Sequence, residues 1–442
     1  MPASASQRPS AATTVAHSVA HPTDELTRAG TPAEPSGSDS GRLLGHALLA
    51  YLVVTTLLIT WAPFRFESKP LHGLTSVWTW SDLLLNVVMF LPLGFLAQSS
   101  RVRQRAVAWW VIGLFGALLS AMIEVGQLFI AERYTSLLDV LTNGLGAALG
   151  ARAFDAVRPR VYLGRGAISA LALELPLTGL VMLLIPLLWV SGFASVGTER
   201  TWLLLLISTF GGAILGAVHG AYLHRSGRVS RPVLLAAVAI WFLVAALPGA
   251  ATRPDVLIAG ATLAIGGAWL RSVATARARD RDGDQRVELP TLRLVLPVFA
   301  AYFALASLWP LDTVDGVWRG GWALSPAGAG LSRTMLMQVL EYLAGFTLVG
   351  YITAEFHGRS NESYRVMPRR VLRSSVVLVL LLECARGWNT MTGASLSVSI
   401  LAVLAGLFGG WLYHLQRDHV RTLLARPVAR LHVVRDGASV IE

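Results

Sequence analysis

Charge and sulfur are what this chain lacks. Of 442 residues only 14% are Asp, Glu, Lys or Arg, Lys69 is the one lysine, and Cys384 is the one cysteine. A lone cysteine excludes an intrachain disulfide. Soluble domains carry about a quarter of their residues as charged ones, whereas 54% of this chain is hydrophobic and its mean hydropathy is +0.57. Such a chain has too few polar residues to cover a water-soluble core. The common catalytic signatures are missing as well: there is no phosphate-binding loop, no G-x-S-x-G elbow and no Cys/His metal spacing. No cofactor and no metal is expected.

Repeated apolar stretches take the place of those features. From residue 44 onward, runs of roughly 17–26 residues recur, which suits a hydrocarbon core of roughly 30 Å. They fall near 44–63, 82–98, 106–130, 136–156, 167–192, 201–223, 232–249, 254–273, 292–311, 334–356, 371–388 and 396–415. The expected fold is all-α, a polytopic transmembrane helical bundle of about 12 spans arranged as three four-helix groups. Residues 1–43 are rich in Ser, Ala, Pro and Thr, lack apolar periodicity and read as a disordered tail. A four-helix membrane domain follows over 44–160, then a middle helical region over 161–273. A linker of alternating Arg and Asp spans 274–290, a last membrane region 291–416 and a basic tail 417–442.

The net charge of +11 and pI near 10.5 would suggest nucleic acid in a soluble protein. Arginine placement gives a different reason. Arg101, Arg103 and Arg105 follow the second span, and Arg225, Arg228 and Arg231 follow the sixth. Counting every second loop and the C-terminal tail, twenty-six arginines fall on one side; eight basic residues fall on the other. Cytoplasmic loops hold such an excess. The pattern predicts a multi-pass protein of the cytoplasmic membrane with both termini in the cytoplasm. Its partners are then membrane lipids, and nucleic acid is not among them.

Ionisable groups inside a bilayer are costly and mark functional sites by default. The first three helices that follow the opening span carry several. Asp82 and Asn86 are i, i+4 and share one helix face, Glu124 and Gln127 are i, i+3, Arg133 follows, and Asp139 and Asn143 are again i, i+4. With the orientation above, all of them lie in the outer part of the membrane, the deepest roughly 10 Å below its surface. Two readings stay open: a structural polar knot in which Arg133 offsets part of the acidic charge, and a site for an extracytoplasmic ligand.

These residues also carry a resemblance. D-x3-N-x3-F-x-P-L-G at Asp82, Asn86, Phe90, Pro92 and Gly94 is followed by E-x2-Q at Glu124 and Gln127. Arg133 comes next, then S-L-x-D-x3-N-x2-G at Ser136, Asp139, Asn143 and Gly146. In order and spacing this resembles the VanZ-like family of bacterial membrane proteins, over about a quarter of the chain. The resemblance implies a compact four-helix membrane domain and no settled reaction. The family is named for a component of teicoplanin resistance, and teicoplanin-type antibiotics carry a lipid tail and act on cell-wall precursors outside the membrane.

The last third reads as a decayed second copy. Phe346 and Gly350 match Phe90 and Gly94 at an offset of 256, and Glu383 and Leu396 match Glu124 and Leu137 at an offset of 259. Gln338 stands for Asp82, Tyr342 for Asn86, Arg386 for Gln127, Val398 for Asp139 and Ala402 for Asn143; Glu341 is an extra acid. Glu383 and Arg386 are i, i+3 and spaced to pair. The middle region holds little polarity beyond Glu174, His219 and His224, and its glycines at 212, 216 and 220 read as a helix-packing stripe.

Three functions fit these readings. One is an outward polar pocket binding a lipid-linked or amphiphilic cell-envelope molecule. Another is a membrane enzyme using carboxylate acid/base chemistry on such a molecule. The third is a secondary transporter, whose usual midplane site these outer carboxylates do not match.

Overall fold

The described residues fold into twelve helices. The structure, a computed structural model, describes residues 37–69, 79–100, 107–130, 133–161, 165–196, 198–226, 230–282, 288–311, 313–314, 316–322, 332–357, 367–390 and 393–425. The first group is α1 (Gly37–Trp61), α2 (Trp80–Ser99), α3 (Trp109–Gln127) and α4 (Leu137–Val161). The middle group is α5 (Arg165–Ala194), α6 (Leu203–Ser226), α7 (Arg231–Ala250) and α8 (Pro254–Asp282). The last is α9 (Glu288–Leu308), α10 (Arg333–His357), α11 (Met367–Arg386) and α12 (Leu396–Ala425). Two short strands, β1 (Gly320–Gly321) and β2 (Ala394–Ser395), pair in parallel.

Ten of these helices are long and apolar enough to cross a membrane, which makes this a multi-pass membrane protein. The two outside that set are α4 and α11. The charged residues Asp139, Arg152 and Asp155 lie on α4, and Arg369, Arg370, Arg373, Glu383 and Arg386 lie on α11. Exposed Leu118, Val125, Leu141 and Leu145 give α3 and α4 an apolar outer face, as contact with lipid requires.

Several helix ends depart from the sequence reading. α1 begins at Gly37 rather than near 44. The stretch expected as a linker over 274–290 is helical as far as Asp282, because its Ala and Arg residues are good helix formers. α12 continues beyond 416 to Ala425.

Small residues set the closest approaches. A Cβ on Gly94 of α2 would overlap the Ala147 carbonyl of α4, and one on Gly150 would overlap the Leu91 carbonyl. Between α6 and α8, Gly212, Gly216 and Gly220 lie against Ala264, Ala268 and Ser272, as the four-residue stripe predicts. His219 on the same helix is buried, with Nδ1 2.8 Å from Ser272 Oγ; the side chains of Glu174 and His224 lie outside the described residues.

The three groups are not separate bundles. α1 runs along α12, α5 packs against α10, and α9 lies more against α6 than against its own neighbour α10. At the junction of the middle and last groups Arg200, fully buried, forms an ion pair with Glu341, which also accepts a 2.5 Å hydrogen bond from the Tyr302 hydroxyl. Arg200 further donates to the Ala306 carbonyl. Glu341 is thus one half of a buried pair.

Candidate functional site

The polar residues of α2, α3 and α4 meet around one cavity of about 640 Å³. Asp82, Asn86, Glu124, Gln127, Arg133, Asp139 and Asn143, the seven residues picked from spacing, all line it. Pro92 does not; it is buried inside α2, two residues before the close contact at Gly94.

Each polar residue is held by local structure. Asp82 closes a capping box at the start of α2: the Thr79 hydroxyl accepts from the Asp82 N–H at 3.2 Å, and the Asp82 carboxylate accepts from the Thr79 N–H at 3.1 Å. Part of its role is therefore structural, and the T-W-S-D spelling of residues 79–82 already encodes it. Glu124 lies in the last turn of α3, and its Oε2 accepts from the Ser136 N–H at 2.8 Å. That bond ties the end of α3 to the start of α4. Asp139, in the first turn of α4, lies beside the side chains of Asn86 and Ser136. A carboxylate suits this position, where the free amides of a helix start converge.

Gln127 and Arg133 fasten α1 to the cavity. Gln127 Nε2 donates to the Thr60 carbonyl at 3.2 Å, and Arg133 Nη2 donates to the Ile59 carbonyl at 3.0 Å. Both acceptors lie at the C-terminal end of α1, where carbonyls lack helical partners and a cation is favoured. Arg133 thus serves α1 as well as offsetting the acidic charge. Asn143 is buried; its Nδ2 donates to Ser120 Oγ at 2.8 Å, while its Oδ1 has no hydrogen-bond partner among the described residues.

The remaining wall was not readable from the motif. Ile59, Met89, Phe90 and Ile123 supply apolar surface from the first group, while Phe193 of α5, Pro248 of α7 and Arg333 of α10 close it from elsewhere. The Arg333 guanidinium lies 5.8 Å over the Phe193 ring. Nothing local in the sequence marks these three residues, which come together only through the packing of the groups.

The last group repeats part of this geometry. Glu383 Oε2 accepts from the Ser395 N–H at 2.7 Å, twelve residues on, as Glu124 does from Ser136. Gly350 lies on Gly406 as Gly94 lies on Ala147, and Gly409 lies on the Thr347 carbonyl as Gly150 lies on that of Leu91. Antiparallel bridges join Phe66 to Ile130 and Val314 to Asn389. The centre differs. Arg386 pairs with Glu383 Oε1 at 2.6 Å and lies 5.0 Å over the Tyr342 ring, which packs against Phe303 and Phe346.

Comparison with known proteins bears on the first group. A family model described as VanZ/LLP1 matches residues 41–158. Protein VanZ of Enterococcus faecium is 27% identical over 124 residues, covering 26% of this chain and 75% of that protein. No solved structure matches.

Proposed function

From the premise that this chain is a VanZ-like membrane protein, with residues 41–158 as its family domain, we propose that its polar cavity binds a lipid-linked or amphiphilic molecule of the cell envelope. One observation carries this reading: seven polar side chains from α2, α3, α4 and the α3–α4 connection line one cavity of about 640 Å³. Ligand pockets run to roughly 300–1,000 Å³. The mixed lining suits a polar head with an apolar continuation. The carboxylates meet the head, and Ile59, Met89, Phe90 and Ile123 meet the chain. The arginine distribution supports an opening toward the outside of the cytoplasmic membrane, with both termini inside.

Resistance to a teicoplanin-type lipoglycopeptide tests it. The full chain, expressed in a susceptible Gram-positive host, is expected to raise the minimum inhibitory concentration. Glu124→Gln and Asp139→Asn, at equal membrane levels, are expected to return it to the value of the empty vector. Equal resistance in both variants would sink the assignment of the cavity. Orientation has its own check. Single cysteines at 82 and 139 in a Cys384→Ser background should react with a membrane-impermeant thiol reagent added to intact cells. Labelling seen only in inverted vesicles would reverse the topology.

The same reading takes the last group as a worn copy of the first. The shared glutamate-to-serine bond, the glycine contacts at the same offsets and the paired bridges support it. The copy has exchanged its cavity-lining amides and carboxylate for Tyr342, Arg386, Val398 and Ala402. Its role is then support of the first site through α12, which packs along α1.

A further inference from the structure

We infer that the polar head recognised by the cavity is a cation, an ammonium or guanidinium group seated against Glu124, Asp139 and Asn143; this rests on the amphiphile reading above. Two independent observations lead there. The first is the balance of donors and acceptors. Asp82, Glu124 and Asp139 all line the cavity, and Asn143 Oδ1, on a residue only 4% exposed, is an acceptor with no donor among the described residues. A buried acceptor left unmade is costly, and a group bringing several N–H donors satisfies it. Of the two cations of the lining, Arg133 donates to the Ile59 and Ala62 carbonyls and offsets part of the charge of Glu124, and Arg333 lies over Phe193, which leaves three carboxylates against two cations that are shared with other groups. Tyr134 is the other titratable group of the lining.

The second observation comes from the last group, where the corresponding place is filled by the chain itself. Glu383 is held by Ser395 through Oε2 in the way Glu124 is held by Ser136, and its other oxygen receives the guanidinium of Arg386. Arg386 stands in the register of Gln127, and its charge also lies over the Tyr342 ring. The last group therefore carries a built-in cation against its conserved-in-register glutamate. The first group presents the same glutamate, adds Asp139 and Asn143, and leaves open the volume that Tyr342 and Arg386 take in the other.

The test uses the full chain in detergent with two probes of equal tail, octylammonium chloride and octanol, read by the thermal unfolding midpoint. Octylammonium is expected to raise the midpoint saturably and octanol to leave it unchanged. Glu124→Gln, which keeps an acceptor for Ser136, should weaken octylammonium binding about tenfold or more, 1.4 kcal/mol per tenfold. Gln127→Arg, which copies the register of Arg386, should abolish the octylammonium response while the purified chain stays monodisperse. Equal shifts from both probes would overturn the cation and leave the amphiphile site standing. So would an octylammonium response unchanged in both variants. No response to either probe, together with no lipoglycopeptide resistance, would overturn the parent reading as well.

Discussion

Arg200→Met should lower the stability of the chain by about 3–5 kcal/mol, the cost of leaving one member of a buried ion pair alone. The pair is dry: Arg200 is 0% exposed and Glu341 2%. With the guanidinium gone, the Glu341 carboxylate keeps only the Tyr302 hydroxyl as a partner, and the Ala306 carbonyl loses its donor. Thermal unfolding of the purified protein in detergent should show a large fall in midpoint. The double variant Arg200→Met, Glu341→Met should recover more than half of it, since an apolar pair of similar volume removes the stranded charge. A double variant no more stable than the single would mean that the pair is not the source of the loss. The same cycle separates the pair from its neighbours, because coupled residues fail to add.

Gly94→Val is the second large effect, and it should remove function and stability together. The α2–α4 contact has no room at this position; a Cβ would overlap the Ala147 carbonyl, which is backbone and cannot rotate away. Overpacking of this kind costs about 1–3 kcal/mol and sometimes more. Here the helices must separate to accommodate it. Separation moves Asn86 and Asp82 on α2 away from Asp139 and Asn143 on α4, so the proposed ligand binding and the proposed resistance should be lost at temperatures where the chain is still folded. Gly266→Val in α8 is the control, because a Cβ there meets nothing within 4 Å. Equal loss in both variants would place the effect in valine's helix propensity and not in the contact.

What was legible in the sequence is what local patterns encode. Hydropathy over windows of membrane length marks helices wherever charge is sparse, and it marks α4 and α11 least well because charged residues sit on them. The i, i+4 pairs Asp82/Asn86 and Asp139/Asn143 announce a shared helix face, and these faces meet in one cavity. The capping role of Asp82 was also written locally, in Thr79 three residues before it. Long-range pairing left no such trace. Arg200 reads as one more loop arginine, yet it is buried against a glutamate 141 positions further along the chain. Glu341 reads as an extra acid of the second copy, and its pairing with buried Arg200 is invisible at the level of spacing. Phe193, Pro248 and Arg333 carry no motif, so only the packing of three groups reveals them as wall residues. The end of α8 was missed for another reason: alternating Arg and Asp is compatible with both solvated coil and helix, and alanines tip the balance.

The wall residue Arg333 has a consequence for how the molecule is made. Chains are synthesised from the N-terminus, and domains form as they emerge. The helices bearing the family motif are complete by Val161, but the cavity they enclose gains Phe193 with α5, Pro248 with α7, and Arg333 only when α10 begins. Until then the carboxylates of a newly inserted first group face a gap that lipid or water must fill. A ribosome stalled between α4 and α10 would leave in the membrane a domain with all its motif residues and an unfinished pocket.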